Sequence, residues 1–196
     1  MTKEEVFLRM KKNLSPSRID HILRVVDTAL QLAERYGVNP ERAEWAALLH
    51  DFYKWQDQEA YAAALEASGL SLDEETVASQ ELSHGWMAAD FLQNSLGIED
   101  EEIYYAVATH TTGREGMSLL EKVIYMADRV EPGRSHPGTE QLRSLVFRDL
   151  DRAVYVAMNQ TLEYLLENHA YIHPRTIEAR NDLWRNITER KERIEG

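Results

Sequence analysis

The chain of 196 residues contains no cysteine. That excludes a disulfide framework, a thiolate zinc site and a thiol nucleophile, and it agrees with a cytoplasmic setting. Long apolar runs are missing as well. Residues 1–12 mix charged and apolar side chains at helical spacing, unlike a signal peptide, and no stretch approaches the ~20 residues that cross a bilayer. The expectation is a protein with no membrane partner. Strand signals are nearly absent. So is any surplus of positive charge: 22 Lys and Arg face 34 Asp and Glu, a net charge of -12. Such a surface repels a nucleic-acid backbone, so no nucleic-acid partner is expected. The basic residues near the end, Arg185, Arg190, Lys191 and Arg193, alternate with acids and read as a solvated helix face. With 43% hydrophobic residues the chain can bury one core, and residues 1–196 read as a single all-α domain, a helical bundle.

Helical signals recur along the sequence. Thr2 and Glu5 can form a capping box for a first helix. Ser15-Pro16 opens a second, whose apolar residues Ile19, Ile22, Leu23, Val26 and Leu30 keep helical spacing until Gly37 closes it. Asn39-Pro40 opens a third, running to about Asp51. Further helices are expected over 57–68, 80–96, 99–110, 118–130, 140–171 with a break near Asp149, and 174–194.

On these helices, or at their ends, stand His21, the pair His50-Asp51, His84, His110 and Asp128. All are side chains that a divalent metal accepts. Four imidazoles and two carboxylates are too many for one closed structural site. They suit two ions that share a ligand and keep positions open. Ala43, Ala46 and Ala47 share the face of His50 and would let a neighbouring helix come close. Asp51 has two oxygens and can bridge two ions, which an imidazole with one free lone pair cannot do. His136, His169 and His173 are left aside as ligands: His136 falls in a Pro/Gly loop, and His169 at a helix end. Singly, each histidine could be an ordinary hydrogen-bonded core residue. The ordered set on helices is what carries the signal.

That set resembles the HD-domain metal-dependent phosphohydrolases. Within them, Leu48-Leu49-His50-Asp51-Phe52-Tyr53-Lys54, His110-Thr111-Thr112-Gly113-Arg114, Ala127-Asp128-Arg129-Val130-Glu131-Pro132-Gly133-Arg134 and His173-Pro174-Arg175-Thr176-Ile177-Glu178-Ala179-Arg180-Asn181 look like the YqeK family of bacterial symmetrical dinucleoside tetraphosphatases. Arg129 departs from that pattern, where the position is often aromatic. The resemblance implies an HD-type bundle, a di-iron centre in divalent or mixed-valence form, and cleavage of diadenosine tetraphosphate into two ADP. It implies that His21, His50, Asp51 and Asp128 hold one ion and that Asp51, His84 and His110 hold the other. Manganese, cobalt, nickel and zinc suit the same donors.

With no cysteine, and no serine in a nucleophile elbow, water is the expected nucleophile. Two cations lower its pKa from about 15.7 to about 7, so a metal-bound hydroxide can attack an inner phosphorus in line. Asp51 and Lys54 are the catalytic candidates. Lys54, Thr111, Thr112, Arg114 and Arg134 are candidates for binding the substrate phosphates, with a solvated charge or an ordinary ion pair as the plain alternative for each. Arg18 and Arg24, three residues to either side of His21, are expected to be solvated or paired. Tyr171 and His173, in the turn before the last helix, are candidates for bordering the nucleoside, with ordinary helix packing the alternative for Tyr171. Trp45, Trp55 and Trp86 leave a homodimer contact open beside a core role. Two rival functions stay open: an HD phosphatase or phosphodiesterase acting on another nucleotide, and a non-enzymatic nucleotide-binding regulator.

Overall fold

The caps written in the sequence set where the chain turns into helix. The computed structural model describes the backbone of residues 1–195 and the side chains of 1–190 and 192. Thr2 and Glu5 form a capping box at the start of α1 (Lys3–Asn13). Ser15 accepts from the Arg18 N–H, with Pro16 in the first turn of α2 (Pro16–Tyr36). Gly37 ends α2 at φ 72°, a left-handed conformation that suits glycine. Asn39 caps α3 (Pro40–Leu49) through the Glu41 and Arg42 N–H groups. The others are α4 (Gln58–Ser68), α5 (Glu74–Val77), α6 (Gln80–Asp90), α7 (Glu101–Ala108), α8 (Leu119–Val130), α9 (Thr139–Val146), α10 (Leu150–Glu167) and α11 (Pro174–Glu195). The fold is all-α, and no strand occurs among the described residues.

Several boundaries differ from those expected. Helix α3 stops at Leu49, because the Phe52 N–H turns back to the Leu49 carbonyl and the chain bends at His50 and Asp51. The stretch 80–96 is α6 followed by a π-helical turn, Phe91–Ser95. The expected break near Asp149 is its side-chain cap on Arg152 at the start of α10. Helix α5 was not anticipated: it is too short for periodicity and forms because Asp73 caps the Thr76 N–H.

Helix α3 packs on α2, α7 and α8, and α8 also packs on α2 and α10. Ala43, Ala46 and Ala47 are fully buried, so α3 approaches its neighbours without side chains in the way. Leu49, Val107, Ile124, Tyr125 and Met126 fill the centre. Trp45, Trp55 and Trp86 are half-buried against this core. Helix α6 lies close against the end of α7. A Cβ on Gly85 would stand 2.8 Å from both the Val107 and the Ala108 carbonyl oxygens, so only glycine fits there. Of the terminal basic residues, Arg185 pairs with Glu115 and Arg190 with Asp151. The side chains of Lys191 and Arg193 lie outside the described residues. No described helix is long and apolar enough to cross a membrane.

Candidate metal centre

Five helices and the bends after them carry the six residues to one point. Helix α2 brings His21, the end of α3 brings His50 and Asp51, α6 brings His84, the end of α7 brings His110, and α8 brings Asp128. His50, His84 and His110 are buried, and so are His21 and Asp51. Asp51 stands in the middle with its two oxygens facing different ways. Its Oδ2 is 3.6 Å from His21 Nε2 and 3.5 Å from His50 Nε2. Its Oδ1 is 3.1 Å from His84 Nε2 and 3.8 Å from His110 Nε2. Asp128 Oδ1 joins the first group, 3.0 Å from His21 Nε2 and 4.0 Å from His50 Nε2. Two donor groups that share Asp51 result, His21-His50-Asp51 and Asp51-His84-His110.

Each imidazole is oriented through its other nitrogen. Nδ1 lies 2.7 Å from the Ala47 carbonyl in His50, 2.7 Å from Gln80 in His84, and 2.8 Å from Val107 in His110. A carbonyl only accepts, so these Nδ1 atoms donate, and in the neutral ring the lone pair is left on Nε2. In His21, Nδ1 is 3.1 Å from Glu131 Oε1, the carboxylate–imidazole arrangement that strengthens a metal ligand.

The donor set fits divalent cations on two observations. His50 Nε2 is buried and finds no hydrogen-bond partner. His84 Nε2 and His110 Nε2 lie 3.1 Å apart, and two lone pairs at that distance repel unless a positive charge stands between them. The charge states agree. Burial pushes the Asp51 carboxyl up, but His50 and His84 outweigh it and hold the group well below its usual value. Burial acts likewise on Asp128 and is outweighed by His21, His50 and Arg134. His110 is driven down to about 3 by burial and by its histidine neighbours, so it stays neutral, as a ligand must. His50 goes the other way: Asp51 and Asp128 overcome burial and raise it, which marks a spot where the cluster favours positive charge.

A cavity of about 270 Å³ opens over the cluster. Of the residues expected around the substrate, Lys54, Thr111 and Arg134 line it. Lys54 pairs with Glu81, the Thr111 hydroxyl is 3.3 Å from His110 Nε2, and Arg134 donates to Asp128 at 2.5 Å. The other four do not line this cavity. Thr112 is buried and donates to the Gly113 carbonyl at 2.9 Å. Arg114 forms a fork with buried Glu121, at 2.7 and 2.8 Å, and lies over the Tyr105 ring. Tyr171 is exposed, and His173 packs against Thr76 while accepting the Arg175 N–H at the start of α11. Arg114→Ala should therefore leave KM for substrate near its original value. It should cost ~2 kcal/mol or more of stability by stripping a buried carboxylate of its partner. For a chain of this size that is a fall in Tm of about 4–8 °C, readable by calorimetry.

Four residues at the site were not assigned to it from sequence. Glu131 is buried and fastened by Arg24, by His21 and by the Gly133 N–H. Burial raises its pKa, but Arg24, His21 and Gly133 outweigh that and set it at about 2. Its position three residues after Asp128, at the end of α8, was the available signal. Arg18 is paired as expected, but its partner, at 2.7 Å, is Asp51 itself. Arg129 and His136 line the cavity. Glu131→Gln keeps the size of the side chain and removes the charge behind His21. Metal affinity should fall about 10–100-fold, with the fold retained, as titration of metal into stripped protein would show.

Imidazoles and carboxylates gathered by helices around a cavity define a class, the HD-type metal-dependent hydrolases. The HD domain family matches residues 18–133, and the chain belongs to that family. More particularly, it is 35% identical over 183 residues to the symmetrical bis(5'-nucleosyl)-tetraphosphatase of Halalkalibacterium halodurans, covering 93% of this chain and 97% of that protein. It is 36% identical over 179 residues to the Bacillus subtilis protein of the same name, covering 90% and 94%. A solved structure from Clostridium acetobutylicum, described as a predicted HD superfamily hydrolase involved in NAD metabolism, matches with a TM-score of 0.88. It is 35% identical, and the match covers 95% of this chain and 98% of that one.

Proposed function

We propose that this chain hydrolyses dinucleoside tetraphosphates symmetrically, diadenosine tetraphosphate giving two ADP, at a centre of two divalent metal ions. The observation that carries the reading is Asp51, whose two oxygens face two separate histidine groups. His21, His50, Asp51 and Asp128 would hold one ion, and Asp51, His84 and His110 the other. Iron is the metal proposed, with manganese, cobalt, nickel and zinc suited to the same donors. Bound there, the ions would withdraw charge from a phosphoryl oxygen and lower the pKa of water to about 7.

The chain's own groups do the positioning. Arg18, Lys54 and Arg134 reach the cavity while each holds a carboxylate, so they can shift a hydrogen bond to an arriving phosphate without being stranded. Arg129 is different. Among the described residues it has no carboxylate partner, and its guanidinium rests 4.6 Å over the Tyr125 ring. It supplies an unspent charge on the cavity wall. Arg129→Gln should raise KM for the tetraphosphate about tenfold, the equivalent of ~1.4 kcal/mol, and lower kcat little.

The direct test is product analysis on protein purified without oxygen, with its metal counted. The reading expects two ions per chain and ADP as the sole nucleotide product. ATP plus AMP as products would contradict it. Preference for a monophosphate ester in a nucleotide panel would favour a different HD phosphohydrolase. Tight nucleotide binding without turnover would favour a regulator.

A further inference from the structure

A second cavity, of about 290 Å³, adjoins the first. Arg18, Arg134 and His136 line both, so they form a partition between the two. The partition stands over the histidine-aspartate cluster. Arg18 reaches Asp51 at 2.7 Å and Arg134 reaches Asp128 at 2.5 Å. The cluster is also open to both sides: Asp51, His84, His110 and Asp128 line the first cavity, and His21 lines the second.

The second cavity runs against the charge of the molecule. On a chain with net charge -12, its wall holds Arg18, Arg24 and Arg134 against one carboxylate, Glu131. Ser17 and Ser135 add exposed hydroxyls. Clustered guanidinium and hydroxyl groups on an acidic protein concentrate phosphate at that spot.

A substrate that is symmetric about its scissile bond carries the same nucleoside diphosphate on both sides. A centre fed by one cavity holds one half and leaves the other in solvent. We propose that the second cavity binds the second nucleoside diphosphate, so that the tetraphosphate passes the partition at Arg18 and Arg134 with its central anhydride over the cluster. This rests on the symmetrical hydrolysis proposed above. Water adds its oxygen to one central phosphorus, and the bond from that phosphorus to the bridging oxygen breaks with its electrons going to the departing ADP. The protons pass to solvent, and one ADP is left on each side of the partition.

The test is the number of ADP molecules bound by the metal-loaded chain, by isothermal titration calorimetry. The wild type should bind two. Ser135→Glu puts a carboxylate into the second cavity alone. It should bind one, with the remaining Kd within about twofold of a wild-type value, and KM for diadenosine tetraphosphate should rise at least tenfold. Ser17→Glu enters from another part of the same wall and should do the same. Both positions are exposed, so an unchanged Tm will show that the fold is intact. One ADP on the wild type, or two on both variants with unchanged affinities, overturns the inference. A wild type that makes ADP from the tetraphosphate yet binds a single ADP overturns the second cavity alone. A wild type that makes none overturns the hydrolytic reading, whatever the stoichiometry.

Discussion

Asp51→Asn should abolish hydrolysis, lowering kcat/KM by three orders of magnitude or more, and should leave at most one metal ion per chain. Both histidine groups depend on this carboxylate, one on each oxygen. The amide keeps a single carbonyl oxygen and no charge, so it can serve one group poorly and cannot bridge. A metal clamp contributes several kcal/mol of transition-state stabilisation, and each ~1.4 kcal/mol is a factor of ten in rate. Arg18 would also be left facing the histidines without its counter-ion. Steady-state kinetics and metal analysis on the same preparation decide the matter. A variant that keeps two ions and turns over within tenfold of the wild type would sink the shared-carboxylate account.

Gly85→Ala should be nearly as damaging, although Gly85 holds no ligand atom. In an ordinary helix interior this exchange stabilises by ~1 kcal/mol. Here the new methyl group would sit 2.8 Å from two main-chain carbonyl oxygens at the end of α7, which cannot move aside as a side chain can. Helix α6 must shift, and His84 shifts with it away from His110, now 3.1 Å distant. Overpacking of this kind costs ~1–3 kcal/mol, and a displacement of about 1 Å at a reacting centre costs about 10²-fold in rate. The useful comparison is Gly37→Ala. That site is open, and only its left-handed φ of 72° resists a side chain. It should lower Tm by a similar amount and leave kcat untouched. Equal kcat in the two variants would show that the α6–α7 contact does not position the histidines.

The contrast between these two glycines shows how far the sequence could be read. Gly37 was legible because its role is local: a helix pattern ends and a left-handed cap is needed. Gly85 was not, because its partner is the backbone of another helix. The same division runs through the site. His21, His50, Asp51, His84, His110 and Asp128 could be named because ligand chemistry is restrictive and their helices were visible in apolar spacing and caps. The pairing of Arg114 could not be read, because its partner, Glu121, is a buried carboxylate whose burial only the packing of α8 reveals. Glu131, Arg18 and Arg129 look like surface charges in the sequence. Their meaning comes from which of them finds a partner, and that is decided between helices.

The rings of His50, His84 and His110 are each tethered to a carbonyl of the chain three or four residues upstream. Main-chain geometry, rather than the cargo, dictates where these nitrogens aim. A cation arriving at such a socket has little to rearrange. Folding, rather than binding, then meets the entropic cost of holding these rings in place.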